Sequence, residues 1–214
     1  MSDMRREPWH SEYAYAVRRD PGMEAARALR AVALIGIVTR LLFIAASAHR
    51  IAFSHKALGL FDANGQFDPH GGTENGIDLL DQAHTTDGLV TDAAIVAFIM
   101  TLLYIVAALV LNWHRKRGDE LAAAINGNRA IRFGGRLYTL AALCSAAATN
   151  AFKPVPGTST PDKLDLLMQG DAVTIGLQVL VIAFLLIATL AVSREIDVAR
   201  NINRQSASAS TDVR

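Results

Sequence analysis

Arg40 interrupts the apolar stretch ALIGIVTRLLFIAASA, residues 33–48, and is its one charged residue. A guanidinium placed inside hydrocarbon costs at least ~2.5 kcal/mol on insertion scales. Two placements answer that cost. In one, the long stem bends toward an interface and carries the charge out to water. In the other, Arg40 faces the interior of a helix bundle and is held there by polar groups of its neighbours. Gln178 is the best-placed partner, about two turns into a later apolar segment, and Asp92 and Asp171 open two such segments. An ionisable group inside a membrane is paired or functional by default, so the interior placement is expected, with Arg40, Gln178, Asp92 and Asp171 as the candidate polar cluster.

Other residues that could do chemistry are scattered. His55, His70 and His84 lie among acidic residues between the first two apolar segments. Asp62, Asn64, Gln66 and Asp68 alternate oxygen-bearing side chains as at the start of a calcium loop. Phe67, however, stands where that loop requires glycine, and the glutamate expected at its twelfth position is missing. No histidine pair has i, i+4 spacing. A solvated acidic loop without a metal is expected. His49 and His114 fall at opposite ends of their segments, which leaves no bis-histidine haem site. Cys144 is the single cysteine, so neither a disulfide nor thiol–disulfide exchange is available within one chain. No H-E-x-x-H, G-x-S-x-G or phosphate-loop pattern occurs. The expectation is a protein that is not an enzyme, with no catalytic residue and no cofactor.

The elements that must position these groups are apolar helices. Of 214 residues, 51% are hydrophobic and 19% charged, below the usual quarter. Four segments reach the ~20 residues that cross ~30 Å of hydrocarbon: about 29–53, 89–113, 133–152 and 172–192. The second and fourth are apolar on every face, which a soluble helix does not require. The third is alanine-rich and carries Thr139, Ser145, Thr149 and Asn150. Ala46-Ser47-Ala48 looks like a signal-peptide cleavage site. About thirty residues precede the apolar run, however, and Arg40 breaks it, so an uncleaved first span is expected.

Basic residues alternate between heavy and light along the chain. The N-terminal tail, the second connection and the C-terminal tail are rich in arginine, whereas the first connection adds only Lys56 and the third only Lys153 and Lys163. The positive-inside rule then predicts an all-α bundle of four transmembrane helices with both termini cytoplasmic. Residues 1–28 form the N-terminal tail, 29–195 the membrane domain with an outer loop at 54–88, and 196–214 a mobile tail. Gly76 to Gln82 within the outer loop predicts a short helix capped by Asn75. Ala141, Ser145 and Thr149, like Ala142 and Ala146, recur every four residues and allow close helix packing. Trp9, Tyr13 and Tyr15 among arginines suit lipid headgroups or a solvated tail equally.

The second connection, Gly118 to Gly134, reads GDELAAAINGNRAIRFG. Asp119 and Glu120 favour the start of a short helix, and Arg129, Arg132 and Arg136 share a face that meets lipid phosphate or a cytosolic partner. Gly118, Leu121, Asn126, Arg129, Arg132 and Gly134 follow in order a pattern that resembles the DUF2975 family of bacterial membrane proteins. The chain departs at Leu121, where the family favours phenylalanine, and after the fourth span, where the family's acidic segment is echoed faintly by Ser193 to Asp197. The resemblance implies the four-span layout and supplies no chemistry. Together these features predict a multi-pass protein of the bacterial inner membrane that binds or regulates a partner. The lipid bilayer and another membrane or cytosolic protein are the expected partners. With a net charge of +1, nucleic acid is not one. A small oligomeric transporter or channel built around Arg40 and Gln178 is the alternative. The sequence leaves the ligand and the oligomeric state open.

Overall fold

The computed structural model describes residues 21–62, 65–66 and 76–211. Five helices account for the regular structure among them: α1 (Pro21–Leu58), α2 (Gly76–Lys116), α3 (Glu120–Gly127), α4 (Arg129–Ala151) and α5 (Thr160–Thr211). Trp9, Tyr13, Tyr15, Asn64, Asp68, His70 and Asn75 lie outside the described residues. Three helices are long and apolar enough to cross a bilayer, in the stretches Pro21–Leu58, Thr85–Lys116 and Thr160–Ile202, consistent with an integral membrane protein. α4 carries three arginines in its first two turns and is not among them.

The helices overrun the segments that the sequence marks. α1, α2 and α5 have 38, 41 and 52 residues, or ~57, ~61 and ~78 Å at 1.5 Å per residue, against ~30 Å of hydrocarbon. Pro21 opens α1 with its φ already set for a helix. The short helix expected at residues 76–82 is the first part of α2. Residues 196–211, expected as part of a mobile tail, are the last turns of α5. Ile196, in the first of those turns, is fully buried.

Caps fix where the helices turn. Gly118, at φ +86°, closes α2. The Asp119 N–H donates to the His114 carbonyl and the Gly118 N–H to that of Arg115, the double bond of a Schellman motif. Asp119 then caps α3, accepting from the Ala122 N–H at 2.8 Å. Asn128 ends α3 and starts α4, where its side chain accepts from the Ala130 N–H at 2.9 Å. Its Nδ2 also donates to Glu195 on α5 at 2.8 Å. Ser159 caps α5 and exchanges bonds with Asp162.

α1 packs between α2 and α5, and α5 packs between α1 and α4. α2 and α4, the two outer members of that series, meet chiefly where the Tyr104 and Tyr138 rings stack edge to face, 4.8 Å apart. The end of the bundle that carries α3 is the better filled. Met23, Leu29, Leu111, Ile125, Val192 and Ile196 belong to one buried cluster there, which both chain ends of the described bundle join. At the far end the second buried cluster is small, Phe43, Val90 and Ala97. Leu34, Leu41, Leu42, Val106, Leu109, Leu180 and Leu190 face outward and are about half exposed or more, which suits a lipid surround.

Candidate functional site

Arg40 turns into the bundle and is only 3% exposed. Its Nη1 donates to Gln178 Oε1 at 3.1 Å, and its Nη2 donates to the Ala97 carbonyl at 2.8 Å and to Thr101 Oγ1 at 2.5 Å. The network extends into α4. Tyr138 donates its hydroxyl to Thr101 Oγ1 at 3.1 Å, and Gln178 Nε2 donates to Ser145 Oγ at 2.6 Å. Thr101 thus accepts twice and donates once, to the Ala97 carbonyl at 3.0 Å, and a hydroxyl has no further capacity. Four helices contribute to one buried polar layer. Every partner of Arg40 in it is neutral, and its Nε–H has no partner.

Ten residues along α1, ~15 Å at the helical rise, Arg50 forms a second and different centre. Its Nε and Nη2 grip Asp171 as a fork, at 2.7 and 2.6 Å, and its Nη1 pairs with Asp87. Asp171 is buried at 2% exposure, whereas Asp87 reaches the surface. Bidentate carboxylate pairing of this kind is the strong form of the guanidinium bond.

Of the predicted cluster, the structure brings together Arg40 and Gln178. It places Asp171 on Arg50 instead, and it leaves Asp92 exposed and outside the network. Asp92 is exposed on α2, five residues on from the aspartate that Arg50 does meet. Sequence reading missed Arg50, Asp87, Thr101 and Tyr138. The one signal for Arg50 was its position ten residues after Arg40.

A cavity of about 470 Å³ links the two centres. It occupies the gap between α2 and α4 at the far end of the bundle. Arg40, Thr101 and Ser145 line one end and Arg50, Asp87 and Lys153 the other. Val90, Ala94 and Phe98 form the α2 wall, and Leu143, Ala146 and Thr149 the α4 wall. Phe98 and Leu143 are about half exposed, so the cleft opens sideways as well as at its end. Toward α3 the Tyr104–Tyr138 contact closes it. Of the small residues on α4, Ala141 is buried away from the cleft, Ala142 and Ser145 are buried and also line it, and Ala146 and Thr149 border it.

The family-like residues of the second connection sit elsewhere, at the α3 end. Gly118 takes the left-handed backbone that stops α2, and Leu121 is buried. Asn126 Nδ2 donates to the Ala122 carbonyl at 2.8 Å. Gly134 lets α4 approach α5, since a Cβ there would lie 3.0 Å from the Phe184 carbonyl oxygen. Arg129 and Arg132 are exposed. Among the described residues no group of His, Cys, Asp and Glu is arranged to hold a metal ion. No family model, no curated protein and no solved structure matches the chain.

Proposed function

We propose that this chain is a four-span, non-catalytic protein of the bacterial inner membrane that acts by binding, and that the cleft between α2 and α4 is where its partner seats. The observation that carries this reading is the cleft itself. It is lateral, mostly apolar on its walls and tied at its floor to a polar layer drawn from four helices. Small-molecule sites combine an apolar lining with a few placed polar groups, and they fall in the range of about 300–1,000 Å³. The groups at the floor are an arginine, an amide and hydroxyls, and both carboxylates of the cleft are engaged by Arg50. That set suits recognition rather than proton or group transfer.

α4 is the fourth span in this reading. Its polar side chains favour it, because Thr139, Thr149 and Asn150 each donate back to a carbonyl one turn earlier at 2.9 Å, which lowers the cost of placing them in hydrocarbon. The resemblance to the DUF2975 family supports the same layout and remains a proposal on the residues given for it. Transport by a small oligomer is a second reading, favoured by a cavity that reaches the middle of the bundle from one end. The unbroken helices and the closure at Tyr104 and Tyr138 favour binding over passage.

Native mass spectrometry of protein released from its membrane tests the proposal. A bound small molecule is expected on the wild-type chain and not on Ala146→Phe, whose ring fills the cleft. A wild-type chain that carries nothing, or an adduct that survives Ala146→Phe, would reject the cleft as the binding site.

A further inference from the structure

The charges of the cleft do not balance at its floor. Arg50 is more than neutralised by Asp171 and Asp87, two carboxylates to one guanidinium, and Lys153 lies at the same end of the cleft. Lys153 stands exposed at the rim, where water solvates it. Arg40 is the cation left over: it is buried, its hydrogen bonds go to an amide, a hydroxyl and a backbone carbonyl, and its Nε–H has no partner. Burying a cation without an anion is costly, and a single negative charge delivered to it recovers much of that cost. Ser145 lies beside it and accepts from Gln178, which leaves its own proton to donate.

We propose that the cleft binds an apolar monocarboxylate, a single-chain fatty acid being the simplest member, with the carboxylate on Arg40 and the chain between α2 and α4. This rests on the binding reading above and names the ligand's chemistry. One guanidinium matches one carboxylate in charge, and with both Nη2 hydrogens engaged the carboxylate meets Arg40 through the charge and the remaining single donors rather than as a fork. A phosphate monoester carries more charge than Arg40 alone offset, and no second free cation lines the floor among the described residues. Between Arg40 and the Arg50 end the α2 and α4 walls are mostly apolar, with Thr91 and Thr149 the polar side chains among them. Ala94 and Ala146 leave the width of a chain, and the half-exposed Phe98 and Leu143 mark where the chain leaves sideways into lipid.

Full-length protein in phosphatidylcholine nanodiscs, titrated with four probes of equal chain length, tests the inference: laurate, dodecyl phosphate, dodecanol and dodecyltrimethylammonium. Laurate is expected to bind at least tenfold tighter than dodecanol and dodecyl phosphate, and the ammonium probe to fail. Ala146→Phe should weaken laurate at least tenfold. Arg40→Met, which keeps an apolar stem, should bind laurate no better than dodecanol. Equal binding of laurate and dodecanol to the wild type, abolished by Ala146→Phe, would overturn the carboxylate assignment while leaving the cleft a binding site. A preference for dodecyl phosphate would overturn it in the same way. If no probe binds, or if Ala146→Phe changes nothing, both the ligand class and the binding site fail. Should Arg40→Met not fold, the order of the four probes on the wild type and their response to Ala146→Phe still decide.

Discussion

Two arginines on one helix face the same bundle and are held in opposite ways. Arg50 sits in a fork with a buried carboxylate, and Arg40 touches only neutral acceptors. Their removal should therefore differ. Arg50→Met strands Asp171, which is 2% exposed, as an unpaired buried anion. Breaking a buried pair from one side typically costs about 3–5 kcal/mol. At about 2–4 °C per kcal/mol for a chain of this size, the thermal transition should fall by roughly ten degrees. Arg40→Met strands no charge. Thr101 and the Ala97 carbonyl keep their own bond at 3.0 Å, and only Gln178 Oε1 loses its partner. Interhelical hydrogen bonds in membranes average ~0.6 kcal/mol and reach ~1.7, and the relieved cost of burying a cation offsets part of that. The expected change is within about 1 kcal/mol, read as a shift of a few degrees at most in detergent. Equal destabilisation by the two variants would mean that Arg40, like Arg50, answers to an anion.

Gly134 lets α4 approach α5 closely, as Gly170 on α5 does at Phe152, the C-cap of α4, whereas Gly176 on α5 does nothing comparable. A Cβ at Gly134 would lie 3.0 Å from the Phe184 oxygen and 3.2 Å from the Ala188 nitrogen, both backbone atoms that cannot swing aside. Gly134→Ala should lower stability by about 1–3 kcal/mol, the usual cost of overpacking. Gly176 has nothing within 4 Å of its Cβ position. Gly176→Ala should gain about 0.5–1 kcal/mol from helix propensity alone. Opposite signs in one thermal-shift experiment are the expected result; the same sign for both would refute this account of the α4–α5 contact. The existence of the long helices was legible in the sequence because apolar composition states it directly, and Asp119 and Glu120 marked the start of α3. What escaped was rotation about the helix axes. Arg40 and Gln178 are 138 residues apart, and whether Asp87 or Asp92 turns inward depends on five residues of helical phase that packing against α1 decides. Arg50 was missed because its partners are assembled only when α2 and α5 close around α1.

At the scale of the whole molecule, stability should not depend on a metal ion. Among the described residues no acidic or histidine cluster is arranged to hold one. A chelator is expected to leave the thermal transition in place; a large fall restored by one divalent ion would reveal a site in the first connection. The decisive whole-molecule question is whether α4 crosses the bilayer. With four crossings, α3 and the end of α5 share a side, as their contacts through Asn128 and Glu195 require of one compact bundle. With three crossings, formed by α1, α2 and α5 alone, the end of α5 would emerge opposite α3. Single cysteines in a Cys144→Ala background separate the two cases. Ala123→Cys on α3 and Arg204→Cys on α5 are at exposed positions, as are Lys153→Cys and Ser159→Cys in the connection between α4 and α5. In intact cells an impermeant thiol reagent is expected to label positions 153 and 159 and to spare 123 and 204, since arginine gathers on the cytoplasmic side of the membrane. Permeabilisation should then expose the spared pair. Labelling of position 204 from outside while 123 stays protected would establish three crossings, and it would remove α4 from the wall of any cleft that opens into lipid.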